Sequence, residues 1–151
     1  MASKSARDIM TDSPAVVTAE TTARDAARMM QDNDCGSLPV VESRGSMKLI
    51  GMVTDRDLAL RILARDQDAN TPVREAMTKN VSSVKQDDDL DAVERVMSGQ
   101  QVRRVPVVDG QDRVVGIIAQ ADLVLDSKQE DGDVVDVVQQ ISEPKGSQLL
   151  S

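Results

Sequence analysis

The chain contains no histidine, phenylalanine, tyrosine or tryptophan, and it has a single cysteine. Without imidazole there is no Ser-His or Cys-His catalytic pair, no His-ligated zinc and no pH switch in the physiological range. One cysteine allows no intramolecular disulfide and no CxxC site, which fits a reducing, cytoplasmic setting. Without aromatic rings there is no stacking platform for single-stranded nucleic acid. Eighteen basic residues against 26 acidic ones leave a formal charge of −8, which opposes binding to a phosphate backbone. No apolar run approaches the length of a membrane span, and Met1 to Arg7 has no apolar segment behind it. Neither a membrane partner nor a signal peptide is expected.

What is present is a packed-domain composition. Of 151 residues, 40% are hydrophobic and 29% charged, enough apolar side chain for a core. The decisive feature is an internal repeat. Ile9-Met10-Thr11 returns as Ala76-Met77-Thr78, and Leu38-Pro39-Val40-Val41 returns as Val105-Pro106-Val107-Val108, at an offset of 67. Gly51-Met52-Val53-Thr54-Asp55-Arg56-Asp57 returns as Gly116-Ile117-Ile118-Ala119-Gln120-Ala121-Asp122 at an offset of 65. The shift falls between Ser43–Lys48 and Gly110–Arg113, where a hairpin turn tolerates a length change.

Each copy reads as β-α-β-β-α. Val16-Val17 forms a short strand, and Thr21 or Thr22 caps a helix carrying Ala23, Ala26, Ala27 and Met30. Leu38–Val41 and Leu49–Val53 form a hairpin, and a final helix begins at Thr54 or Asp55 with Leu58, Leu60, Ile62 and Leu63 as its apolar residues. The second copy has Leu90, Val93 and Met97 behind Asp87-Asp88-Asp89, an acidic start that suits a helix N-terminus. One copy of about 60 residues buries too little surface to be comfortable alone. The predicted fold is therefore α/β (α+β): two repeats packed sheet to sheet with pseudo-twofold symmetry, leaving two equivalent clefts where small molecules bind. The expected organisation is a flexible N-terminus over 1–6, repeat 1 over 7–66, a linker over 67–74, repeat 2 over 75–126, and a tail over 127–151 with a short helix at 133–141.

The doubled pattern M-T-x-x-(P)-x-V, h-P-V-V and G-h-h-T/S-x-x-D resembles a CBS domain, and two in tandem resemble a CBS pair, or Bateman module. The resemblance spans roughly residues 7–126. It is similar to small bacterial CBS-pair proteins of the hypoxic-response type. It implies a regulatory, non-catalytic module that takes an adenosine-containing small molecule (AMP, ADP or ATP class) as a regulatory ligand, with no obligate cofactor and no metal. It also implies a homodimer through the outer helices, Ala23–Asp32 and Asp55–Ala64 with their counterparts, and a regulated protein partner of unknown identity.

Carried over by position, the first cleft would use Met52, Thr54 and Asp57 with Val81, Ser82, Val102, Arg103, Arg104 and Pro106. Asp57 would accept hydrogen bonds from the ribose hydroxyls, as the acidic residue of a dinucleotide fold does. Arg103 and Arg104 would meet phosphate. The second cleft would use Ala15, Val16, Gly36, Ser37, Pro39, Ile117 and Asp122. Ala119 stands there in place of the hydroxyl residue, and Cys35-Gly36-Ser37 offers no arginine, so weaker binding is expected. Bland readings stand beside these. Asp57 and Thr54 suit a helix start, Gly51 and Gly116 suit close packing, Pro39 and Pro106 suit strand entrances, and Cys35 and the eight methionines suit packing. Two rival functions are an interaction protein with empty clefts and, less in keeping with a lone carboxylate, an enzyme.

Overall fold

A computed structural model describes residues 4–100 and 102–130. The expected tail helix at 133–141 lies outside the described residues.

In chain order the elements are α1 (Ala6–Ile9), β1 (Thr11–Asp12), β2 (Val17–Thr18), α2 (Ala23–Asp32), β3 (Ser37–Val41), β4 (Leu49–Thr54) and α3 (Asp55–Leu58). A π-helical turn, Ala59–Leu63, continues α3, and a 3-10 turn, Val73–Glu75, leads into the second half. Then follow β5 (Thr78–Lys79), β6 (Val84–Lys85), α4 (Leu90–Gln100), β7 (Arg104–Val108), β8 (Val114–Ala119) and α5 (Gln120–Glu130). Each copy thus contains the β-α-β-β-α unit expected from the repeat.

The pattern missed one strand per copy. β1 and β5 precede the unit, and each joins the other copy's sheet. One sheet runs β2-β3-β4-β5 and the other β1-β8-β7-β6. β5 pairs antiparallel with β4 (Met52 opposite Thr78), and β1 pairs antiparallel with β8 (Thr11 opposite Ile117). The turns that carry the chain from one sheet to the other use left-handed residues at repeat-equivalent positions, Ser13 (φ 48°) and Asn80 (φ 56°). Two-residue strands of Thr, Asp and Lys give no alternating pattern, so periodicity cannot reveal them.

Three apolar clusters form the core. One is built mainly by the first copy around Val17, Ala26, Leu38, Val53 and Ile62, and it also takes in Val73, Ala76 and Met77. A second sits within the other copy around Val84, Val93, Val105 and Ile118, and it also buries Ala6. The third belongs to both copies: Val16 and Val41 pack with Val108 and Val114. Beside it the two hairpins exchange backbone hydrogen bonds, Leu49 N–H to Asp112 O (3.1 Å) and Val114 N–H to Met47 O (2.8 Å).

Two sequence expectations change. Only Leu58 and Ile62, four residues apart on one helical face, are buried; Leu60 and Leu63 are 48% and 73% exposed. The N-terminal stretch expected to be loose is anchored by its last residues: Ala6 is fully buried, Ser5 bridges Asp89, and Lys4 Nζ lies 2.6 Å from the buried carboxylate of Asp126.

Candidate functional site

The loop-to-helix step after β4 sets the site. Thr54 is the N-cap of α3, and its hydroxyl accepts the N–H of Asp57 at 3.0 Å. Asp57 Oδ2 in turn accepts the N–H of Thr54 at 2.9 Å. This reciprocal capping box satisfies two helix-end donors and pins the Asp57 carboxylate at the mouth of the strand. The threonine and aspartate of the G-h-h-T-x-x-D pattern are therefore a structural pair first. The box uses Oδ2.

In the second copy only half of the box forms. Asp122 Oδ2 accepts the N–H of Ala119 at 2.8 Å, but alanine has no hydroxyl to return the bond. The two aspartates are equivalent in position and unequal in restraint.

A cavity of about 800 Å³ opens beside Asp57, within the range of small-molecule sites. All nine residues expected in the first cleft line it: Met52, Thr54, Asp57, Val81, Ser82, Val102, Arg103, Arg104 and Pro106. They come from the end of β4, the turn after β5 and the entrance to β7. The exchange of β5 brings Thr78 and Asn80 into the same wall. Sequence reasoning also missed Asp55 and Arg56, which lie inside the matched pattern itself, and Gln100 at the end of α4.

Gly36 and Ser37, expected in the second cleft, line this first one. The strand register explains it. Ser37 pairs opposite Thr54 in the β3–β4 hairpin, so the entrance to β3 lies beside the exit of β4. The Ser37 hydroxyl is buried without a hydrogen-bond partner among the described residues. The remaining second-cleft candidates are dispersed. Ala15 and Val16 line a separate cavity of about 570 Å³ that also takes in Arg44 and Met47 but neither Ile117 nor Asp122. Pro39 is buried opposite Met52, and Ile117 opposite Pro106 and Thr11.

A further cavity of about 820 Å³ adjoins the first on the helical side, bounded by α2, α3 and the start of α5. The two share Gly36, Asp55, Arg103 and Arg104. Cys35, a half-buried free thiol, lines this outer cavity and packs on the first core. Among the described residues no group of three or more Cys, Asp and Glu is placed to hold a metal ion, and no helix is long and apolar enough to cross a membrane.

Comparison with known proteins agrees with this architecture. The CBS domain family model matches residues 6–64 and 73–126. The CBS domain-containing protein YhcV of Bacillus subtilis is 40% identical over 121 residues, covering 80% of this chain and 84% of its own. Hypoxic response protein 1 of Mycobacterium tuberculosis is 35% identical over 119 residues, covering 78% of this chain and 81% of its own. Its crystal structure, with two coordinated zinc ions, superposes with a TM-score of 0.74 over 81% of this chain and 98% of that one. The CBS domain pair of protein MJ0100, solved with 5′-methylthioadenosine and S-adenosyl-L-methionine, is 28% identical with a TM-score of 0.75, over 86% of this chain and all of that one. With two repeats in the order the family requires, each matched along its length, the chain belongs to the CBS domain family as a tandem pair.

Proposed function

We propose that this CBS pair is a regulatory module that binds an adenosine-containing nucleotide in the cleft beside Asp57 and passes its level to a protein partner. The observation that carries the reading is convergence. Four separate stretches of chain meet at one cavity that offers a pinned carboxylate for ribose hydroxyls, the apolar side chains of Met52, Val81 and Pro106 for a base, and Arg56, Arg103 and Arg104 for phosphate. The adenosine compounds bound by the MJ0100 pair support the ligand class. The residues expected to form a second cleft are dispersed, and Asp122 lines none of the three cavities described above, so the cleft beside Asp57 carries the binding.

The module acts without catalysis, cofactor or metal of its own, in a cytoplasmic setting. Its signal is differential affinity: ligand favours one arrangement of the two copies, or of two subunits, over another. Leu60 and Leu63 beyond α3 and Leu125 on α5 (51% exposed) leave apolar side chains outward, which supports the outer helices as the homodimer face. The same exposed leucines favour the rival reading, an interaction protein whose clefts stay empty.

Thermal unfolding with millimolar AMP, ATP or S-adenosylmethionine separates the two. A ligand that binds only the folded chain at 100 times its Kd stabilises it by about 2.7 kcal/mol and raises Tm. Asp57→Asn keeps an oxygen for the Thr54 N–H while removing the carboxylate, so it abolishes the shift with little change in the unliganded Tm. Asp122→Asn leaves most of the shift. No shift with any adenosine compound would establish the empty-cleft reading.

A further inference from the structure

The charge of the cleft has a sharper consequence, which rests on the nucleotide reading above. Three arginines (Arg56, Arg103 and Arg104) and two aspartates (Asp55 and Asp57) are among the residues that line the first cavity, a formal sum of one positive charge. The outer cavity that adjoins it adds no further cation. Its charged lining is Asp34 together with the shared Asp55, Arg103 and Arg104, and the rest is largely apolar. A ligand that extends from the first cavity into the outer one passes Asp55 together with Gly36, Arg103 and Arg104, and beyond them no new positive charge awaits it.

Asp55 is held at that passage. Its backbone N–H donates to Gly36 O at 2.9 Å, and its Oδ1 accepts the N–H of Arg56 at 2.7 Å. A Cβ on Gly36 would come within 3.0 Å of Asp55 Oδ2, so the absent side chain at Gly36 is what gives this carboxylate its place. One phosphate carries about 1.5 to 2 negative charges at pH 7, which the three arginines can meet. Every further phosphate brings more negative charge towards a carboxylate, in a chain whose overall charge is already −8.

We infer that the cleft is charge-matched to a nucleoside monophosphate, and that Asp55 is the group that discriminates against di- and triphosphates. Asp55 does not grip the ligand; it sets the cost of extending it.

The test is calorimetric titration of the full chain with adenosine, AMP, ADP and magnesium-free ATP at constant ionic strength. Repeating it on Asp55→Asn and Asp55→Ser, which both keep a side-chain oxygen at the helix start, isolates the discriminating group. The expected result is AMP bound at least tenfold more tightly than ATP by the unaltered chain. Both variants narrow that ratio threefold or more, chiefly by strengthening ATP, with AMP nearly unchanged. ATP binding as tightly as AMP to the unaltered chain, or an unchanged ratio in both variants, overturns the inference while leaving nucleotide binding intact. Failure of all four compounds to bind overturns the nucleotide reading and the inference with it.

Discussion

At Gly51 a single hydrogen is all the space allows. A Cβ there would lie 2.6 Å from the carbonyl oxygen of Thr78, a backbone atom of the exchanged strand β5. That atom can withdraw only by breaking the β4–β5 pairing. The equivalent Gly116 faces the side chain of Met10, with Cγ at 2.7 Å from the same hypothetical atom. A thioether chain can turn aside. Gly51→Ala is therefore expected to destabilise by about 1–3 kcal/mol, and Gly116→Ala by less. Urea midpoints read at constant slope check the order, and equal losses would contradict it. Neither glycine has a positive φ, so crowding and not backbone freedom explains both. The need for close approach is legible in a glycine repeated at one position of the pattern. The atom it approaches is not, because β5 comes from the other copy.

The helix starts after β4 and β8 show how one residue changes an element. Thr54 gives α3 a complete capping box, and Ala119 leaves α5 with half of one. Thr54→Ala should cost about 0.5–2 kcal/mol, and Ala119→Thr should gain a smaller amount by supplying the missing acceptor for the Asp122 N–H. Thermal unfolding of the two variants gives both signs. Loss of stability in Ala119→Thr would show that the alanine serves packing instead.

The β7–β8 hairpin has its own electrostatic tie. Asp109 accepts backbone N–H groups of Gln111 and Arg113 and the Arg113 Nε–H (2.8 Å), and the backbone bond from Arg113 is the main cause that holds its carboxyl below the ordinary 3.8. A lowered folded-state value means the contribution is complete above 3.8 and is lost as pH falls through the lowered value. The stability difference between the unaltered chain and Asp109→Asn should accordingly be flat at neutral pH and shrink only on acidification below 3.8. Shrinkage between pH 5 and 7 would assign it to another group. Asp109-Gly110 was readable as a turn; its hydrogen-bond set was not.

Across the whole molecule, each sheet contains strands from both halves. Separating the copies would strip β5 from one sheet and β1 from the other and expose the shared Val16, Val41, Val108 and Val114 cluster. Lys4 and Asp126 tie the first helix region to the last. The chain should unfold in one cooperative calorimetric transition, with far-UV dichroism as the second probe because there is no aromatic side chain to follow. Two resolved transitions would mean that the copies are independent.

The amino-acid sequence by itself determined that the chain is a duplicated β-α-β-β-α unit, because apolar spacing and cap residues are local and recur twice. The resemblance which that repeat carries named nine residues that the structure then gathers around one cavity. Only the tertiary structure decided which copy owns each edge strand, that Gly36 and Ser37 stand beside Thr54, and that Asp55 lines both of two adjoining cavities. Those outcomes depend on strand register and on contacts between residues far apart in the chain, and neither leaves a local period for a sequence to display.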